Sequence, residues 1–356
     1  MKTVAVDLNP ATREVATGTE IFAREVGSRL RAAAPEIEWR FFASRARAGL
    51  GVDLMVAPFP RLWSQVRLPV ALARAHADLL FVPSHAIPLA WPGKALTVVH
   101  DVAFERYPHA YSGAERAYLQ LTTRWAARRC PLLIAVSEST KSDLVELYGV
   151  NPNRIRVVPN GGGEPPSSHQ RKSLAPASRL AELGLNGTFV LQVGRIETRK
   201  NQTAALAAVE RLDGVTLAVA GPERDVALAA SLRASTRCLV LGRVDQPTLE
   251  LLYKHAGAVV VPSLYEGFGI PVLEAMARGK VVVAAKRSSL PEVGGDAALY
   301  VDDPGDAEAL AKALAIALSD KQLRTKLARA APKRAAEFTW DRCAAGVAAV
   351  IRELVA

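Results

Sequence analysis

The sequence predicts an α/β protein made of two doubly wound domains. Its 356 residues are more than one hydrophobic core usually covers, so two domains are favoured over one. Short apolar runs rich in Val, Ile and Leu alternate with helical stretches, as in parallel sheets that are buried on both faces. These runs fall into two series, and a segment rich in turn residues separates them. Each series therefore predicts one parallel sheet with right-handed crossovers.

Each series contains six predicted strands. The strands of the first series lie at residues 3–6, 39–42, 79–82, 96–99, 132–136 and 155–158. The strands of the second series lie at residues 189–193, 215–220, 238–241, 258–261, 281–284 and 298–301. Ligands of open parallel sheets bind beyond the carboxyl ends of the strands, so the residues directly after each strand are the candidates for function.

The turn-rich segment at 159–168 marks the predicted domain boundary. We predict an N-terminal domain at residues 1–166, a linker at 167–187 and a C-terminal domain at 188–339. The last stretch, 340–356, has apolar residues near helical spacing. It predicts an amphipathic helix that could cap either domain, including by a return onto the N-terminal one.

The composition excludes several classes of protein. Half of the residues are apolar and 22% are charged, which argues against intrinsic disorder. No apolar run approaches the roughly 18 residues of a membrane-spanning helix, and the first residues read as a strand rather than a signal peptide. Cys130, Cys238 and Cys343 lie too far apart for a disulfide framework or a Cys-x-x-Cys metal site. We therefore expect a cytoplasmic protein.

One segment concentrates the positive charge of the chain, whose formal net charge is +10. Between residues 40 and 74, six arginines face only Asp53. With Phe41, Phe42 and Leu62, this basic patch could rest on an anionic membrane and present a lipid-diphosphate-linked acceptor; the alternative is a solvated arginine face. Nucleic acid is not an expected partner, because no binding module is recognisable. The residues predicted to form the patch are Arg45, Arg47, Arg61, Trp63 and Arg67.

The densest cluster of polar and glycine residues lies at 263–277, directly after a predicted strand. Gly267 and Gly269 let the backbone pass close to a ligand, and a helix is predicted to begin near Pro271. Free N–H groups at such a helix start can hold a phosphate or the oxygens of a sugar. Glu266 precedes the glycine turn, and we place Glu274 in the first helical turn. The alternative for Glu274 is a glutamate that only complements the helix dipole.

A second cluster also follows a predicted strand and contains Gly194, Arg195 and Lys200. Arg195 and Lys200 could both bind a diphosphate, the guanidinium through two donors and the ammonium as a point charge. The alternative is a pair of unrelated surface cations. The chain contains no Asp-x-Asp pair that would hold a divalent cation on a diphosphate. Cationic side chains are therefore favoured over a metal.

One histidine stands out by its position. His100 follows the predicted strand at 96–99 and adjoins Asp101. Most lone histidines have a structural role, but this position favours a functional role for His100. We expect no comparable setting for the others, which are His76, His85, His109, His169 and His255.

Taken together, these residues resemble the retaining nucleotide-sugar glycosyltransferases of family four, which have the two-domain GT-B fold. Glu266 and Glu274 are separated by seven residues around Gly-Phe-Gly, and Gly194-Arg195 is followed by Lys200. Further matches in the family's order lie at 100–101, 135–140, 158–161 and 290–294, and cover most of the chain. Segments 62–69 and 100–104 resemble the mannosyltransferase-like branch that builds bacterial O-antigen and related polysaccharides.

The resemblance implies a role for each matched residue. Arg195 and Lys200 would bind the donor diphosphate and stabilise the leaving group. Glu266 would hold hydroxyls of the donor sugar, Glu274 would bind the ribose hydroxyls, and His100 would touch the donor sugar near the reacting carbon. The main chain expected around the sugar and the phosphate is that of Gly194, Gly267, Phe268, Gly269 and Ile270.

Two further positions are carried over with less support from the pattern. The first loop lacks the paired glycines usual after the first strand, so only Gly18 is matched, and it would approach the donor phosphate or the acceptor. Recognition of the base would rest on the main chain near Val244. The resemblance further implies two Rossmann-like domains that face each other across a cleft, the N-terminal one binding the acceptor and the C-terminal one binding the nucleotide sugar.

The implied activity is retaining transfer of a hexose, with mannose from GDP-mannose favoured, onto a saccharide or lipid-linked saccharide acceptor. No metal or other cofactor is expected, and attack on the same face of the sugar is favoured because neither glutamate is placed as a nucleophile. The enzyme would be cytoplasmic, or peripheral on the inner face of the membrane. A nucleotide-sugar epimerase of similar fold and a non-catalytic nucleotide-sugar-binding partner of another transferase are the alternatives. A dinucleotide-dependent dehydrogenase is disfavoured, because no Gly-x-Gly-x-x-Gly follows the first strand.

Overall fold

The computed structural model describes residues 1–13, 17–56, 63–73, 75–164 and 175–356. The chain divides into two compact units. The N-terminal unit comprises Met1–Gly161 together with Thr339–Ala356, and the C-terminal unit comprises Gly162–Phe338. Each unit contains one parallel sheet with helices, so the predicted α/β class is confirmed.

The N-terminal unit has a sheet of seven described strands in the order β3-β2-β1-β4-β5-β6-β7, and every neighbouring pair is parallel. The strands are β1 (Thr3–Asp7), β2 (Glu38–Ala43), β3 (Leu54–Val56), β4 (Leu79–Val82), β5 (Lys94–Val99), β6 (Leu133–Ala135) and β7 (Ile155–Val157). The strand order reverses between β1 and β4. In doubly wound sheets the crevice for ligands opens at such a reversal, beyond the carboxyl ends of the two strands.

Five described helices join the strands of this unit before its boundary. They are α1 (Gly18–Ala33), α2 (Leu68–Leu72), α3 (Ala103–Arg106), α4 (Gly113–Arg129) and α5 (Glu138–Tyr148). Side chains cap the longer helices, because their first N–H groups have no partner within the helix. The hydroxyl of Ser112 accepts from the N–H of Glu115, and that of Ser137 accepts from the N–H of Thr140.

The C-terminal unit has a sheet of six described strands in the order β10-β9-β8-β11-β12-β13, again parallel throughout. The strands are β8 (Thr188–Val193), β9 (Val215–Ala220), β10 (Cys238–Gly242), β11 (Ala258–Val261), β12 (Val282–Ala285) and β13 (Leu299–Val301). Here the order reverses between β8 and β11, which places the ligand crevice of this unit beyond their carboxyl ends.

Eight described helices belong to this unit. They are α6 (Ser178–Glu182), α7 (Gln202–Val209), α8 (Val226–Arg233), α9 (Gln246–His255), α10 (Ile270–Ala277), α11 (Leu290–Gly294), α12 (Ala307–Ser319) and α13 (Lys321–Ala335). The core lies between strands and helices: Val190 and Leu217 of the sheet and Leu314 of α12 are fully buried in one cluster. Burial on both faces explains why these strands are continuous apolar runs.

The last helix, α14 (Trp340–Val355), returns to the N-terminal unit and packs against α1. Its apolar side faces inward, with Val347 and Ile351 fully buried. The guanidinium of Arg29 on α1 donates to the carboxylate of Asp341 at 2.8 Å. No helix in the described part of the chain combines the length and the apolar character needed to cross a membrane.

Every predicted strand is present, with bounds that differ by at most two residues. The sequence missed one strand, β3, which has three residues and lies at the edge of the N-terminal sheet. Met55 and Val56 of this strand are exposed, at 51% and 46% of their surface. Its apolar run, 54–57, is as long as the run at 155–158 that predicted β7, so length does not explain the miss. Its pairing at the sheet edge depends on β2, which the local sequence does not contain.

Candidate functional site

The C-terminal unit brings the two predicted clusters together at the reversal between β8 and β11. These strands are direct neighbours, and Ala258 pairs with Val190. Because both strands run parallel, the loops that follow them leave the sheet at the same edge. Gly194, Arg195 and Lys200 come from the first loop, and Glu266 comes from the second.

A buried ion pair joins the two loops. The ammonium of Lys200 donates to Oε1 of Glu266 at 2.6 Å, and the hydroxyl of Ser263 donates to the same oxygen at 2.8 Å. The second carboxylate oxygen lies 3.5 Å from Nη1 of Arg199. Glu266 and Arg199 are only 6% and 5% exposed. One carboxylate therefore faces two cations at the bottom of the predicted crevice.

The electrostatics of this pair keep Glu266 ionised. Burial alone would raise the pKa of Glu266, but the charges of Lys200 and Arg199 outweigh it and hold that pKa below its usual value. Burial lowers the pKa of Lys200, and the carboxylate of Glu266 opposes this shift. The ion pair of 2.6 Å thus places a carboxylate that can accept from hydroxyls beside an ammonium that can bind anions.

Arg199 is a central residue that the sequence reasoning missed. Its Nη2 donates to Oε1 of Glu197 at 2.7 Å, and its Nη1 donates to the carbonyl of Tyr265 at 2.8 Å. The N–H of Leu264 donates to the carbonyl of Arg199 at 2.9 Å. Arg199 therefore fastens the loop after β11 to the loop after β8. The one signal in the sequence that could have indicated this role is Glu197, an acidic residue two positions before Arg199 and shortly after a buried strand.

Arg195 remains available as a cation at the same strand end. It is half-buried, and within the described residues its guanidinium forms neither a hydrogen bond nor an ion pair. Its carbonyl accepts from the side-chain amide of Gln202 at 2.9 Å, which fixes the backbone. A Cβ on Gly221 would lie 1.9 Å from the carbonyl oxygen of Gly194, so glycine is required where the β9 loop passes this point.

Two serines that were not predicted hold the glycine turn between Glu266 and α10. The hydroxyl of Ser289 donates to the carbonyls of Glu266 and Phe268, at 2.9 and 2.8 Å. The N–H of Glu266 donates to the hydroxyl of Ser288 at 2.8 Å. Gly269 has a φ of 109° directly before α10 begins at Ile270. Phe268 and Gly267 are buried, whereas Ile270 is partly exposed.

The prediction that Glu274 lies in the first turn of its helix is wrong. Because α10 begins at Ile270, Glu274 is its fifth residue, beyond the N–H groups that would make it a dipole partner. Its Oε2 instead accepts from the hydroxyl of Tyr253 at 2.8 Å, and burial raises its pKa. Val244, predicted near the base, is half-buried in the turn between β10 and α9.

In the N-terminal unit, His100 follows β5 and is half-buried. Its Nε2 lies 2.8 Å from the carbonyl oxygen of Pro83, and burial lowers the pKa of the ring to about 4. The expectation that His85 has no comparable setting is wrong, because its Nε2 lies 2.8 Å from the carbonyl oxygen of Asp101. No local pattern links these two residues, which are 16 positions apart and follow different strands.

Strand β1 ends in an acid, Asp7, to which the sequence analysis assigned no role. Asp7 is buried, and its Oδ1 accepts from Nε1 of Trp63 at 2.8 Å and from the N–H of Asn9 at 3.0 Å. Burial raises the pKa of Asp7 to about 6. Gly18 is the exposed first residue of α1, and Thr17 caps that helix.

The prediction that aromatic side chains of the basic patch rest on a membrane is wrong. Trp63 is 5% exposed and bound to Asp7, and Phe41 and Phe42 lie in the core, because β2 is buried on both faces. Arg45 is exposed, whereas Arg47 and Arg67 are half-buried, and Arg47 donates to the carbonyl of Arg13. Arg61 and Leu62 lie outside the described residues. Large apolar side chains that are exposed near this region are Met55, Val56, Val66 and Val70.

A doubly wound unit with cations and a helix start at its strand-order reversal is typical of proteins that bind phosphorylated ligands. Comparison with family models makes the class specific. Residues 181–334 match the model described as glycosyl transferases group 1, and residues 18–161 match the model described as glycosyltransferase family 4. The chain belongs to the family-four glycosyltransferases and is a glycosyltransferase.

Curated relatives support the same family. The chain is 29% identical to the O-antigen chain mannosyltransferase B of Escherichia coli over 70% of this chain and 68% of that protein. It is 28% identical to a glycogen synthase of Mycobacterium tuberculosis, with 88% and 74% covered. It is 34% identical to a D-inositol 3-phosphate glycosyltransferase of Acidothermus cellulolyticus, with 60% and 51% covered. The aligned parts thus span about half to three quarters of these relatives.

Solved structures show the fold. Sucrose-phosphate synthase from Thermosynechococcus elongatus aligns with a TM-score of 0.77 and 20% identity, over 99% of both chains. HepE from Anabaena, in complex with UDP and glucose, aligns with a TM-score of 0.77 and 18% identity, over 99% of this chain and 100% of that one. The predicted GT-B fold is confirmed by this likeness.

The buried pair should show strong energetic coupling. We expect Lys200→Met and Glu266→Gln each to lower the free energy of unfolding. In a double-mutant cycle, the loss in the double variant should be smaller than the sum of the two single losses. The expected coupling is about 1–3 kcal/mol in urea unfolding followed by circular dichroism, because either single variant leaves a buried charge without its partner. The matched control is the exposed pair Lys312 and Glu308, 2.7 Å apart, whose cycle should be additive. Additivity at Lys200 and Glu266 as well would contradict this interpretation.

Proposed function

We propose that this glycosyltransferase transfers a hexose from a nucleotide sugar with retention, and that the donor is GDP-mannose and the acceptor a saccharide or lipid-linked saccharide. The observation that carries the proposal is the buried pair of Lys200 and Glu266, with Arg195 at the same strand end. It joins a cation for the diphosphate to a carboxylate for sugar hydroxyls at the point where a doubly wound sheet binds ligands.

The diphosphate is bound by Lys200 and Arg195. An ammonium has three donors, so Lys200 can keep its bond to Glu266 and still donate to a phosphate oxygen. The guanidinium of Arg195 adds a fork of donors that suits phosphate. As the bond between sugar and phosphate breaks, these charges stabilise the negative charge of the leaving group. Neither residue requires a metal for this role, so we propose a metal-free reaction.

The sugar is held by Glu266 and by the turn that follows it. The ionised carboxylate accepts from hydroxyls of the donor sugar, and the N–H groups of residues 267–270 are oriented by the two serine contacts described above. Glu274 accepts from the ribose hydroxyls, next to its bond with Tyr253. Val244 lies in the turn that would face the base.

His100 takes part in binding of the donor sugar as a neutral imidazole. A carbonyl oxygen can only accept, so Nε2 carries the proton in its bond with Pro83, and Nδ1 is left as the acceptor of the ring. The low pKa of His100 keeps the ring neutral at physiological pH. Nδ1 can then accept from a hydroxyl of the donor sugar. The departing phosphate oxygen would take the proton of the acceptor hydroxyl on the same face of the sugar.

The choice of mannose rests on relatives. Three of them are named as mannosyltransferases: the O-antigen chain mannosyltransferase B and WbdA of Escherichia coli, and an MMP α-(1→4)-mannosyltransferase of Mycolicibacterium hassiacum. The name of the first also supports a saccharide acceptor of the O-antigen type. Glycogen synthases and inositol phosphate glycosyltransferases are related to a similar degree, so the donor must be tested against other nucleotide sugars.

A panel of donors tests the proposal. We expect metal-independent release of nucleotide from GDP-mannose in EDTA, and slower or no release from UDP-glucose, UDP-N-acetylglucosamine and dTDP-rhamnose. Lys200→Met and Glu266→Gln should each lower the rate by about 100-fold or more, because each removes a group that stabilises the transition state. The exposed Lys312→Met serves as the control and should keep the wild-type rate.

Other outcomes would contradict the proposal in distinct ways. Release from another donor alone would replace mannose while keeping the transferase. Interconversion of the sugar without release of nucleotide would favour an epimerase. Tight nucleotide binding without turnover, in the presence of saccharide acceptors, would favour a binding partner of another enzyme.

Peripheral contact with an anionic membrane is the second part of the proposal. The exposed side chains of Met55 and Val70, at 51% and 64%, lie in the same stretch of the chain as the exposed cation Arg45. Elements β3 and α2 both contact β2, so Met55 and Val70 lie near the same edge of the N-terminal sheet. Apolar side chains together with cations suit the interface of an anionic bilayer.

Vesicle binding tests this contact. We expect Arg45→Glu with Arg47→Glu to weaken binding to phosphatidylglycerol vesicles by about tenfold or more, since each cation near such a surface contributes about 1 kcal/mol. The control with the same change in net charge is Lys326→Glu with Arg329→Glu, two exposed cations on α13. Equal loss in both variants would contradict a specific contact through the N-terminal unit, and loss in the control alone would move the contact to α13.

A further inference from the structure

Two histidines link two neighbouring loops at the carboxyl edge of the N-terminal sheet. Strands β4 and β5 pair in parallel, and each is followed by a loop that carries one histidine. The Nε2 of His85, in the loop after β4, lies 2.8 Å from the carbonyl oxygen of Asp101 in the loop after β5. The Nε2 of His100 lies 2.8 Å from the carbonyl oxygen of Pro83 in the first loop. Each loop thus gives one ring and one carbonyl to a reciprocal pair of hydrogen bonds.

The chemistry of these bonds fixes both tautomers. Because a carbonyl oxygen only accepts, the proton of each ring lies on Nε2. Burial lowers the pKa of His85 and of His100, and the carboxylate of Asp101 opposes both shifts only in part. Both rings are therefore neutral near pH 7, and in each ring Nδ1 is the acceptor.

Aromatic side chains from two different helices contact the two rings. The ring of Phe22, on α1, meets His100 edge to face with centroids 4.9 Å apart and planes at 81°. The ring of Phe104, on α3, meets His85 at 6.3 Å and 73°. The centroids of the two histidines are 6.3 Å apart. Neither ring can turn without loss of both its hydrogen bond and its aromatic contact.

We propose that His85 is a positioning residue for the transfer reaction: its Nε2–H holds the Asp101 carbonyl, and thereby sets the orientation in which His100 presents Nδ1 to the donor sugar. The proposal rests on the role of His100 in the proposed function. It adds a residue that contacts neither sugar nor nucleotide and acts only through the backbone of residues 100 and 101.

The position of His85 predicts which kinetic quantity depends on it. The cations and the carboxylate that would bind the nucleotide sugar belong to the C-terminal unit, so loss of the His85 bond should leave nucleotide affinity unchanged. A shift of the His100 segment by about 1 Å is enough to slow a reaction by about 100-fold. The loss should therefore appear in kcat and not in nucleotide binding.

Two variants of similar size separate the effect of the N–H hydrogen-bond donor of His85 from the effect of its side-chain volume. His85→Gln keeps an N–H donor near the place of Nε2, whereas His85→Met fills similar space without a donor. We expect His85→Met to lower kcat by about 30- to 100-fold with the Kd of the nucleoside diphosphate within about twofold of wild type. His85→Gln should recover most of kcat, and both variants should have similar Tm.

A second measurement does not depend on activity. Nitrogen-15 NMR of the imidazoles in the full chain should show His85 and His100 as neutral Nε2–H tautomers in the wild type. In His85→Met the His100 signals should shift or broaden, and in His85→Gln they should stay close to wild type. If no donor is turned over by the wild type, the proposed function fails, and the NMR result still decides whether His85 orders His100.

Three results would overturn the proposal. Equal kcat for His85→Met and His85→Gln would show that the N–H hydrogen-bond donor at this position does not affect the reaction. A loss of kcat that follows a fall in Tm would show a role in stability alone. Unchanged His100 signals in His85→Met would show that the two rings are not coupled.

Discussion

The buried ion pair between Lys200 and Glu266 is the interaction on which the arrangement of the C-terminal strand ends depends. Taking two charges out of water costs several kcal/mol per ion, so the pair is stable only where further groups satisfy it. Ser263 donates to the carboxylate at 2.8 Å, and Arg199 adds a second cation. The pair therefore fixes the loops after β8 and β11 relative to each other. At the same strand end, the guanidinium of Arg195 has no partner within the described residues.

The same principle of placement applies to both units. In each sheet the strand order reverses once, between β1 and β4 or between β8 and β11, and the loops at a reversal leave towards opposite faces. In the N-terminal unit β1 ends at Asp7, His85 follows β4, and His100 follows β5. Burial shifts the pKa of each of these groups towards its neutral form. Burial thus favours the neutral forms of these N-terminal groups, whereas the C-terminal strand ends hold an ion pair.

The sequence predicted what local pattern determines. Apolar runs located all strands except β3, and strand ends located Lys200, Glu266 and His100. It missed Arg199, Ser289 and His85, because their roles depend on which loops become neighbours in the sheet, a fact that no local window contains. It misjudged Trp63 for a related reason. The local sequence around an aromatic residue beside arginines does not show whether that residue is exposed or buried. Trp63 is buried here, and its indole N–H donates to the carboxylate of Asp7, 56 positions earlier.

The central claim is that the pair of Lys200 and Glu266, with Arg195, is the site of the donor. The most direct measurement is a crystal structure of the chain with a bound nucleoside diphosphate sugar. The account predicts a phosphate oxygen within hydrogen-bond distance of Lys200 Nζ, the guanidinium of Arg195 on the diphosphate, and a sugar hydroxyl on the Glu266 carboxylate. A donor bound elsewhere, with the 2.6 Å bond between Lys200 and Glu266 unchanged and no contact to either residue, would contradict it.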